Sequence, residues 1–282
     1  MARNYSGSYT NPMKSEDYAH GDAFQSEKRT LFSSEWLPLS AAGQIAKPGD
    51  FLSATVGGWG VFGVCDQEGA VRVLRNACRH QNMQVVGTPS GNCETFRCRF
   101  HGWTYDLQGR FLGAPPPVAP KDPESPELHL GSLSTSIVSG IVFFSLAAPA
   151  QPPDLGGPLP AYGGTLTTEI ACNWKVCVEH LLAEHVPSSD FGWYWPLLAV
   201  RRAGAVTIIE QVVPHTFLRT RLLTHIFGGA PDEHKQAAAA IKHVCERLQA
   251  DRNDGKPAAD GALVATFHRQ LADAYAQDRA TT

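Results

Sequence analysis

Short hydrophobic runs separated by turn residues fill the chain between residues 36 and 111. Each run is rich in valine, phenylalanine and other β-formers, and glycine or polar residues stand between consecutive runs. This pattern is typical of strands joined by hairpins. The sequence therefore predicts an all-β unit with strands at Phe51–Val56, Val61–Cys65, Val71–Asn76, Thr95–Cys98 and Trp103–Asp106.

The segment before this unit has a different pattern. Residues Met1–Gly21 are polar and irregular, which predicts an extended arm. Phe24–Phe32 has the spacing of a short helix, and Asp22 is suited to cap its start.

After residue 111 the pattern becomes mixed. Proline clusters at 115–126 and 149–160 interrupt regular structure and predict connectors. The predicted strands are Ser134–Ser145 (one or two strands), Leu166–Ile170, Tyr194–Val200, Val206–Val213 and Phe217–Ile226, and the predicted helices are Trp174–His185, Glu233–Ala250 and Asp260–Ala276. The fold class is α+β. We expect an arm and helix at 1–35, an all-β domain at 36–118, and an antiparallel sheet with helices at 119–282.

Composition narrows the classes of function. The chain has 282 residues, a net charge of −3 and no basic stripe, which argues against nucleic-acid binding. Its longest apolar stretch, Ile137–Ala148, is shorter than the roughly 18 residues of a membrane span. The N-terminus lacks a signal-peptide pattern, so we expect a cytoplasmic protein whose seven cysteines are metal ligands and buried thiols.

Two cysteine–histidine pairs carry the strongest chemical signal. Cys78 and His80 form the first pair, and Cys98 and His101 form the second. Each pair falls at a predicted hairpin tip. Zinc would accept two sulfurs and two nitrogens, although zinc sites usually pair like ligands within one motif. The mixed spacing favours a Rieske [2Fe–2S] cluster, in which one iron takes both sulfurs and the other both nitrogens.

The flanking residues resemble those of a known family. The run from Asn76 to His80 and the run from Phe96 to Asp106 are similar to the cluster loops of Rieske non-heme iron (ring-hydroxylating) oxygenases. Respiratory Rieske proteins differ, because they carry a disulfide where this chain has Met83 and Phe100. The resemblance extends from about Phe24 to Leu271 and includes these landmarks: Pro48-Gly49-Asp50-Phe51, Asn173-Trp174-Lys175, Trp195-Pro196 and Phe267-His268-Arg269.

The resemblance also implies a mononuclear iron held by two histidines and a carboxylate. His185 matches the first histidine, and Asp190 stands where the family has the second. Leu182 occupies the position of the acidic residue that links the two iron centres, and Ile241 occupies that of the carboxylate ligand. His180 is an alternative ligand only if the helix breaks before His185. A core histidine is the plain alternative for His185.

Two functions follow from the resemblance. The first is an oxygenase component that takes electrons from a reductase or ferredoxin and passes them through the cluster to a non-heme iron, for O2-dependent hydroxylation or demethylation of a small organic substrate. The second is a non-catalytic electron-transfer subunit that serves an intact oxygenase subunit. It is favoured by Leu182, by Ile241 and by the shortened segment after Asp190. Either function implies a homo- or hetero-oligomer, expected to be built from trimers.

Overall fold

The computed structural model describes residues 13–147, 151–185, 188–257 and 261–281. Its architecture is the predicted α+β arrangement, in which a β-rich unit precedes an antiparallel sheet flanked by helices. The helices are α1 Ser15–Ala19, α2 Gly21–Arg29, α3 Leu31–Ser34, α4 Trp174–Ala183, α5 Lys235–Asn253 and α6 Ala262–Thr281. The strands are β1 Leu37–Ala41, β2 Asp50–Val56, β3 Trp59–Cys65, β4 Val71–Arg75, β5 Ser90–Asn92, β6 Phe96–Arg97, β7 Thr104–Tyr105, β8 Phe111–Gly113, β9 Ser132–Val138, β10 Ile141–Ser145, β11 Tyr162–Ile170, β12 Phe191–Tyr194, β13 Leu198–Ala203, β14 Val206–Thr216 and β15 Arg219–Phe227.

The first sheet has the strand order β1-β10-β9-β4-β3-β2-β5, and its neighbours pair antiparallel. Strands β9 and β10 follow the expected domain boundary at residue 118, yet they join this sheet beside β4 and β1. The sheet therefore continues past that boundary. Hydrophobic periodicity does not predict this pairing, because β1 and β10 are separated by about a hundred residues of chain.

A small second sheet, β6-β7-β8, lies beside the first and carries one of the two cysteine–histidine pairs. Phe96 of β6 contacts Phe62 of β3, with ring centroids 4.7 Å apart. This packing fixes the small sheet against the larger one. A shared core of Phe62, Leu74, Phe96, Trp103, Tyr105 and Phe111 fills the space behind both loops.

The third sheet, β11-β15-β14-β13-β12, forms the C-terminal part with α4, α5 and α6. The expected strand Tyr194–Val200 is only partly confirmed. Tyr194 ends β12 and Leu198 begins β13, and the residues between them form the turn that joins the two strands. Helix α4 is also shorter than predicted, since it ends at Ala183 and leaves His185 beyond the helix.

From residue 13 onward the N-terminal segment is helical and not the extended arm that the sequence predicted. Residues 1–12 lie outside the described part, but Ser15–Ala19 form a helix and Tyr18 is buried. The Tyr18 hydroxyl donates to Glu179 of α4. A tyrosine and a distant glutamate therefore dock this segment on the C-terminal helices, an interaction that polar composition does not reveal.

Candidate functional site

The two cysteine–histidine loops have the same backbone geometry. In the first loop Cys78 N–H donates to the Met83 carbonyl at 2.8 Å, and Asn82 N–H donates to the Cys78 carbonyl at 2.7 Å. In the second loop Cys98 N–H donates to the Trp103 carbonyl at 2.8 Å, and Gly102 N–H donates to the Cys98 carbonyl at 2.9 Å. The residue four after each cysteine thus closes the turn. The repeat presents both pairs in the same way.

The closing residue of each loop needs a left-handed backbone. Asn82 has φ 57° and Gly102 has φ 72°. Glycine and asparagine are the residues that accept this conformation at least cost. A Cβ at Gly102 would also meet Arg97 at 3.1 Å and Pro115 at 3.2 Å. The glycine of the His-Gly-Trp run is therefore explained by backbone geometry and close packing.

Asn76 holds the first loop from behind. Its side-chain oxygen accepts from Val85 N–H at 3.0 Å and Val86 N–H at 2.9 Å, and its amide donates to Val86 and Ser53. The side chain is buried. A buried amide with all these partners fixes the loop that carries Cys78 and His80.

The structure places Cys78 beside Cys98 and His80 beside His101. Cys78 and Cys98 are each 1% exposed, and Cys98 is close enough to contribute to the raised pKa of the Cys78 thiol, which is due mainly to burial. The His80 and His101 rings meet edge to face, 4.6 Å apart, and both are partly exposed. The site therefore has a buried sulfur side and a histidine side that reaches the surface.

One atom of this site is left without a partner. His80 Nδ1 is buried and has no hydrogen bond to any described residue. The His80 ring stacks on Trp103 at 5.1 Å, and the Trp103 indole donates to the Val118 carbonyl at 3.0 Å. Packing therefore holds this buried nitrogen in place without giving it a hydrogen-bond partner. That environment suits a nitrogen that binds a metal ion.

Tyr105 contacts the sulfur side of the site. Its hydroxyl lies 3.2 Å from Cys78 Sγ and accepts from Arg79 N–H at 3.1 Å. A Cys78 thiolate has no proton, so with the sulfur on iron the hydroxyl would be the donor. Burial raises the pKa of the Cys78 thiol, while the hydrogen bond with Tyr105 lowers it. Burial also raises the pKa of Tyr105, which keeps the phenol protonated. Tyr105 lies within the run from Phe96 to Asp106, but the sequence alone assigned it no role.

The donor set fits a two-iron cluster better than a zinc ion. Among the described residues, no three His, Cys, Asp or Glu side chains are placed to hold one metal ion. A closed zinc site needs four ligands around one ion. A Rieske cluster needs only two protein ligands on each iron. All seven cysteines are free thiols, and Met83 and Phe100 stand where a bridging disulfide would lie.

His185 lies in a second region, a cavity of about 490 Å³ between α4, α5 and the third sheet. Its Nδ1 lies 2.8 Å from the Leu181 carbonyl, and because a carbonyl only accepts, Nδ1 is the donor. The ring stacks on Phe191 with 4.1 Å between centroids. The lining residues are His180, Leu181, Glu184, His185, Arg201, Glu210, Ala237, Ala240, Ile241 and Val244.

This cavity does not fit the mononuclear iron that the resemblance implies. Ile241 lines it at the position of the family's carboxylate. Asp190 is exposed and is not part of the lining, so the structure does not bring it to His185. Leu182 is buried and offers no hydrogen bond. His180 does share the cavity with His185, because the helix ends between them, but no third ligand joins them among the described residues.

Sequence reasoning missed two charged residues of this cavity. Glu210 is 3% exposed and faces Arg201, with 3.7 Å between the carboxylate and the guanidinium. Burial raises the pKa of Glu210, and the nearby Arg201 and His185 oppose that rise. The available signal was a carboxylate inside the apolar run Val206–Val213.

Comparison with known proteins agrees with this geometry. A family model described as "Rieske [2Fe-2S] domain" matches residues 35–130. Chlorobenzene dioxygenase subunit alpha of Cupriavidus sp. (strain PS12) is 36% identical over 98 residues, which is 35% of this chain and 22% of that protein. Biphenyl dioxygenase subunit alpha of Metapseudomonas furukawaii is 27% identical over 191 residues, 59% of this chain and 42% of that protein. This chain thus spans less than half the length of these curated relatives.

Solved structures share the fold over a larger part of the chain. The apo form of the quaternary ammonium Rieske monooxygenase CntA has a TM-score of 0.74 at 16% identity, covering 93% of this chain and 95% of that chain. Naphthalene 1,2-dioxygenase from Rhodococcus sp. has a TM-score of 0.65 at 14% identity, covering 94% of both chains. Residues 35–130 are a Rieske [2Fe–2S] domain, and the chain is homologous to the alpha subunits of Rieske ring-hydroxylating oxygenases.

Proposed function

We propose that this protein is an oxygenase component that receives electrons from a reductase or ferredoxin and passes them, through a [2Fe–2S] cluster, to a non-heme iron centre. The reaction of the complex would be O2-dependent hydroxylation or demethylation of a small organic substrate. Because the cavity at His185 lacks a carboxylate ligand, the iron centre would need ligands from another chain or would lie on another chain. The observation that carries the proposal is the placement of two buried thiols and two neighbouring imidazoles on paired loops that are closed by the same two backbone hydrogen bonds.

Each residue of the site has a defined part in this role. Cys78 and Cys98 would hold one iron, and His80 and His101 the other. When bound, the cluster supplies one-electron redox chemistry. Trp103 packs behind His80 and keeps water from that side of the ring. His101 is partly exposed, so the histidine side of the site is where electrons enter or leave.

The proposal is tested by removing ligands one at a time. We expect Cys78→Ala and His101→Ala to abolish the visible absorption of the cluster and the EPR signal of its reduced form. The matched controls are Cys93→Ala, in the same domain but outside the site, and His243→Ala, on an exposed helix face. Both controls should keep the two signals. Retention of the signals in the ligand variants, or zinc in the purified protein, would disprove the cluster.

The second candidate is an electron-transfer subunit whose iron partner lies on another chain. Ile241 in the cavity wall beside His185 favours it, because an isoleucine cannot coordinate iron. Metal analysis separates the two candidates. About three irons per chain supports an own catalytic centre, and about two supports the partner role, since the cluster accounts for two.

In either case the partners would be an electron donor and further oxygenase chains, in a trimer-based homo- or hetero-oligomer. We also propose a cytoplasmic location. In the described part of the chain no helix is long and apolar enough to cross a membrane. Isolation of the complex from its native host, followed by iron analysis, tests the partners directly.

A further inference from the structure

The cavity at His185 contains a buried carboxylate paired with a guanidinium that has an unused donor. Glu210 is almost completely buried, and its carboxylate forms an ion pair with Arg201 at 3.7 Å. The Arg201 side chain is 37% exposed, but its Nε is buried and has no hydrogen-bond partner among the described residues. A buried donor without a partner is costly, so this nitrogen indicates a missing acceptor.

The two groups belong to neighbouring strands. Arg201 is on β13 and Glu210 on β14, in positions diagonal to one another in the ladder. Their charged atoms are 3.7 Å apart, close enough for Coulomb attraction but beyond hydrogen-bond distance. A positive and a negative group therefore stand side by side in one wall of the cavity, and Arg201 Nε is left as a free donor.

The rest of the cavity defines what lies beside these charges. His185 adds a second ring nitrogen, because Nδ1 donates to the Leu181 carbonyl and Nε2 is left for a ligand. The opposite side is apolar and is formed by Leu181, Ala237, Ala240, Ile241 and Val244. The volume of about 490 Å³ lies in the range of roughly 300–1,000 Å³ that is usual for small-molecule sites.

A metal ion is a poor occupant for this arrangement. The guanidinium of Arg201 already faces the buried carboxylate, and it would repel a second positive charge placed there. No third metal ligand joins His185 and Glu210 among the described residues. The wall opposite them offers no oxygen or nitrogen side chain except those of His180 and the exposed Glu184.

We propose that this cavity is a binding site for a small apolar α-amino acid or a similar zwitterion. Such a ligand carries its ammonium and carboxylate on the same carbon, which matches two protein charges that stand side by side. The ammonium would donate to Glu210 and to His185 Nε2, and the carboxylate would accept from Arg201 Nε. The apolar side chain would lie on Ile241, Ala240 and Val244. The site does not depend on the cluster, so it goes beyond the proposed electron-transfer role.

Three probes of matched length test the charge requirement by calorimetry on the full cluster-loaded protein. L-Norleucine has both charges, pentylamine lacks the carboxylate, and hexanoate lacks the ammonium. We expect norleucine to bind at least about tenfold more tightly than either of the others, because each loses a charged hydrogen-bond partner. No binding of norleucine, or equal binding of the three probes, would overturn the proposal.

Variants locate the binding to this cavity. Glu210→Gln and Arg201→Gln should each weaken norleucine binding about tenfold or more, whereas Glu94→Gln, at an exposed position outside the cavity, should leave it unchanged. If Glu210→Gln fails to fold, Arg201→Gln decides, because that side chain is partly exposed. Norleucine binding that survives a folded Arg201→Gln variant contradicts the site.

A metal titration tests the competing occupant. The unmodified protein and the His185→Ala variant, both loaded with the cluster, should bind the same amount of Co²⁺. Binding of Co²⁺ that His185→Ala abolishes would establish a metal centre and overturn the proposal. Failure of the proposed electron-transfer function is seen separately, as loss of the visible absorption, so the two proposals fail in different measurements.

Discussion

Single hydrogen bonds at the cluster site decide its electronic properties. Donors to a ligating sulfur stabilise the more electron-rich, reduced form of an iron–sulfur cluster and raise its reduction potential. In this protein the Tyr105 hydroxyl lies 3.2 Å from Cys78 Sγ, and it accepts from Arg79 N–H, which leaves its own proton for the sulfur.

We therefore expect Tyr105→Phe to lower the midpoint potential of the cluster without loss of iron. Potentiometric titration followed by visible absorption measures the shift. Tyr162→Phe, a tyrosine of the third sheet far from the cluster loops in the chain, serves as the control and should leave the potential unchanged. An unchanged potential in Tyr105→Phe would show that the hydroxyl does not donate to Cys78.

A second residue determines how stability depends on pH. His225 is fully buried, between Gln211 Oε1 at 2.9 Å and Thr165 Oγ1 at 2.7 Å. Burial lowers its pKa to about 3, against about 6.5 in an unfolded chain. The unfolded state therefore binds a proton that the folded state refuses between these two pH values.

The contribution of His225 to the free energy of unfolding should therefore be fully present above about pH 6.5. It should be lost as the pH falls towards 3, with a slope of up to about 1.4 kcal/mol per pH unit. His225→Gln should flatten this acid limb, as measured by urea unfolding across the range. His243→Gln, at an exposed position, is the control. An acid limb that His225→Gln leaves as steep as before would contradict the assignment.

At the scale of elements, buried ion pairs hold the helices of the C-terminal part together. Lys175 and Glu27 join α4 to α2 and are both fully buried. The Trp174 indole donates to Glu27 at 2.7 Å, and the Tyr275 hydroxyl of α6 also donates to it. One carboxylate thus connects helices from both ends of the chain.

Removing one partner of this pair should be costly, because the other charge stays buried. We expect Lys175→Met to lower the free energy of unfolding by about 3 kcal/mol or more. Adding Glu27→Gln to it should restore part of the loss. Lys235→Met breaks an exposed pair with Asp232 and should cost less than about 1 kcal/mol. Equal effects of the buried and exposed variants in urea unfolding would argue against this role.

At the scale of the whole molecule, the two larger sheets share one core. The main cluster of buried residues includes Leu39 and Phe144 of the first sheet together with Trp174, Val212 and Leu222 of the C-terminal part. Gln211 of β14 also donates to the Pro38 carbonyl of β1 at 2.8 Å. Neither sheet can expose its inner face without exposing that of the other.

We expect the protein without its cluster to unfold in a single calorimetric transition, with equal calorimetric and van't Hoff enthalpies. Two resolved transitions would mean that the sheets unfold independently. Gln211→Ala should lower the temperature of the single transition without splitting it, because the apolar part of the shared core remains.

Local spacing explains what the sequence alone could determine. The sequence identifies the two cysteine–histidine pairs because each pair lies within four residues. The turn that holds each pair is also local, since it is closed by hydrogen bonds between residues four and five apart. The start of α4 is equally local, since Asn173 caps it by accepting from Lys175 N–H at 3.0 Å. The α+β class follows from hydrophobic periodicity along each segment.

Contacts between distant segments account for what the tertiary structure decided. Local sequence does not predict three contacts between distant segments. These are the pairing of β1 with β10, the hydrogen bond of Tyr18 with Glu179, and the contact of Glu210 with Arg201 and His185. Local sequence also does not show where the residues at the predicted iron-ligand positions lie. The packing of a loop leaves Asp190 exposed, and the packing of α5 places Ile241 in the cavity wall. The sequence determined which side chains carry chemistry, and only packing decided which of them face one another.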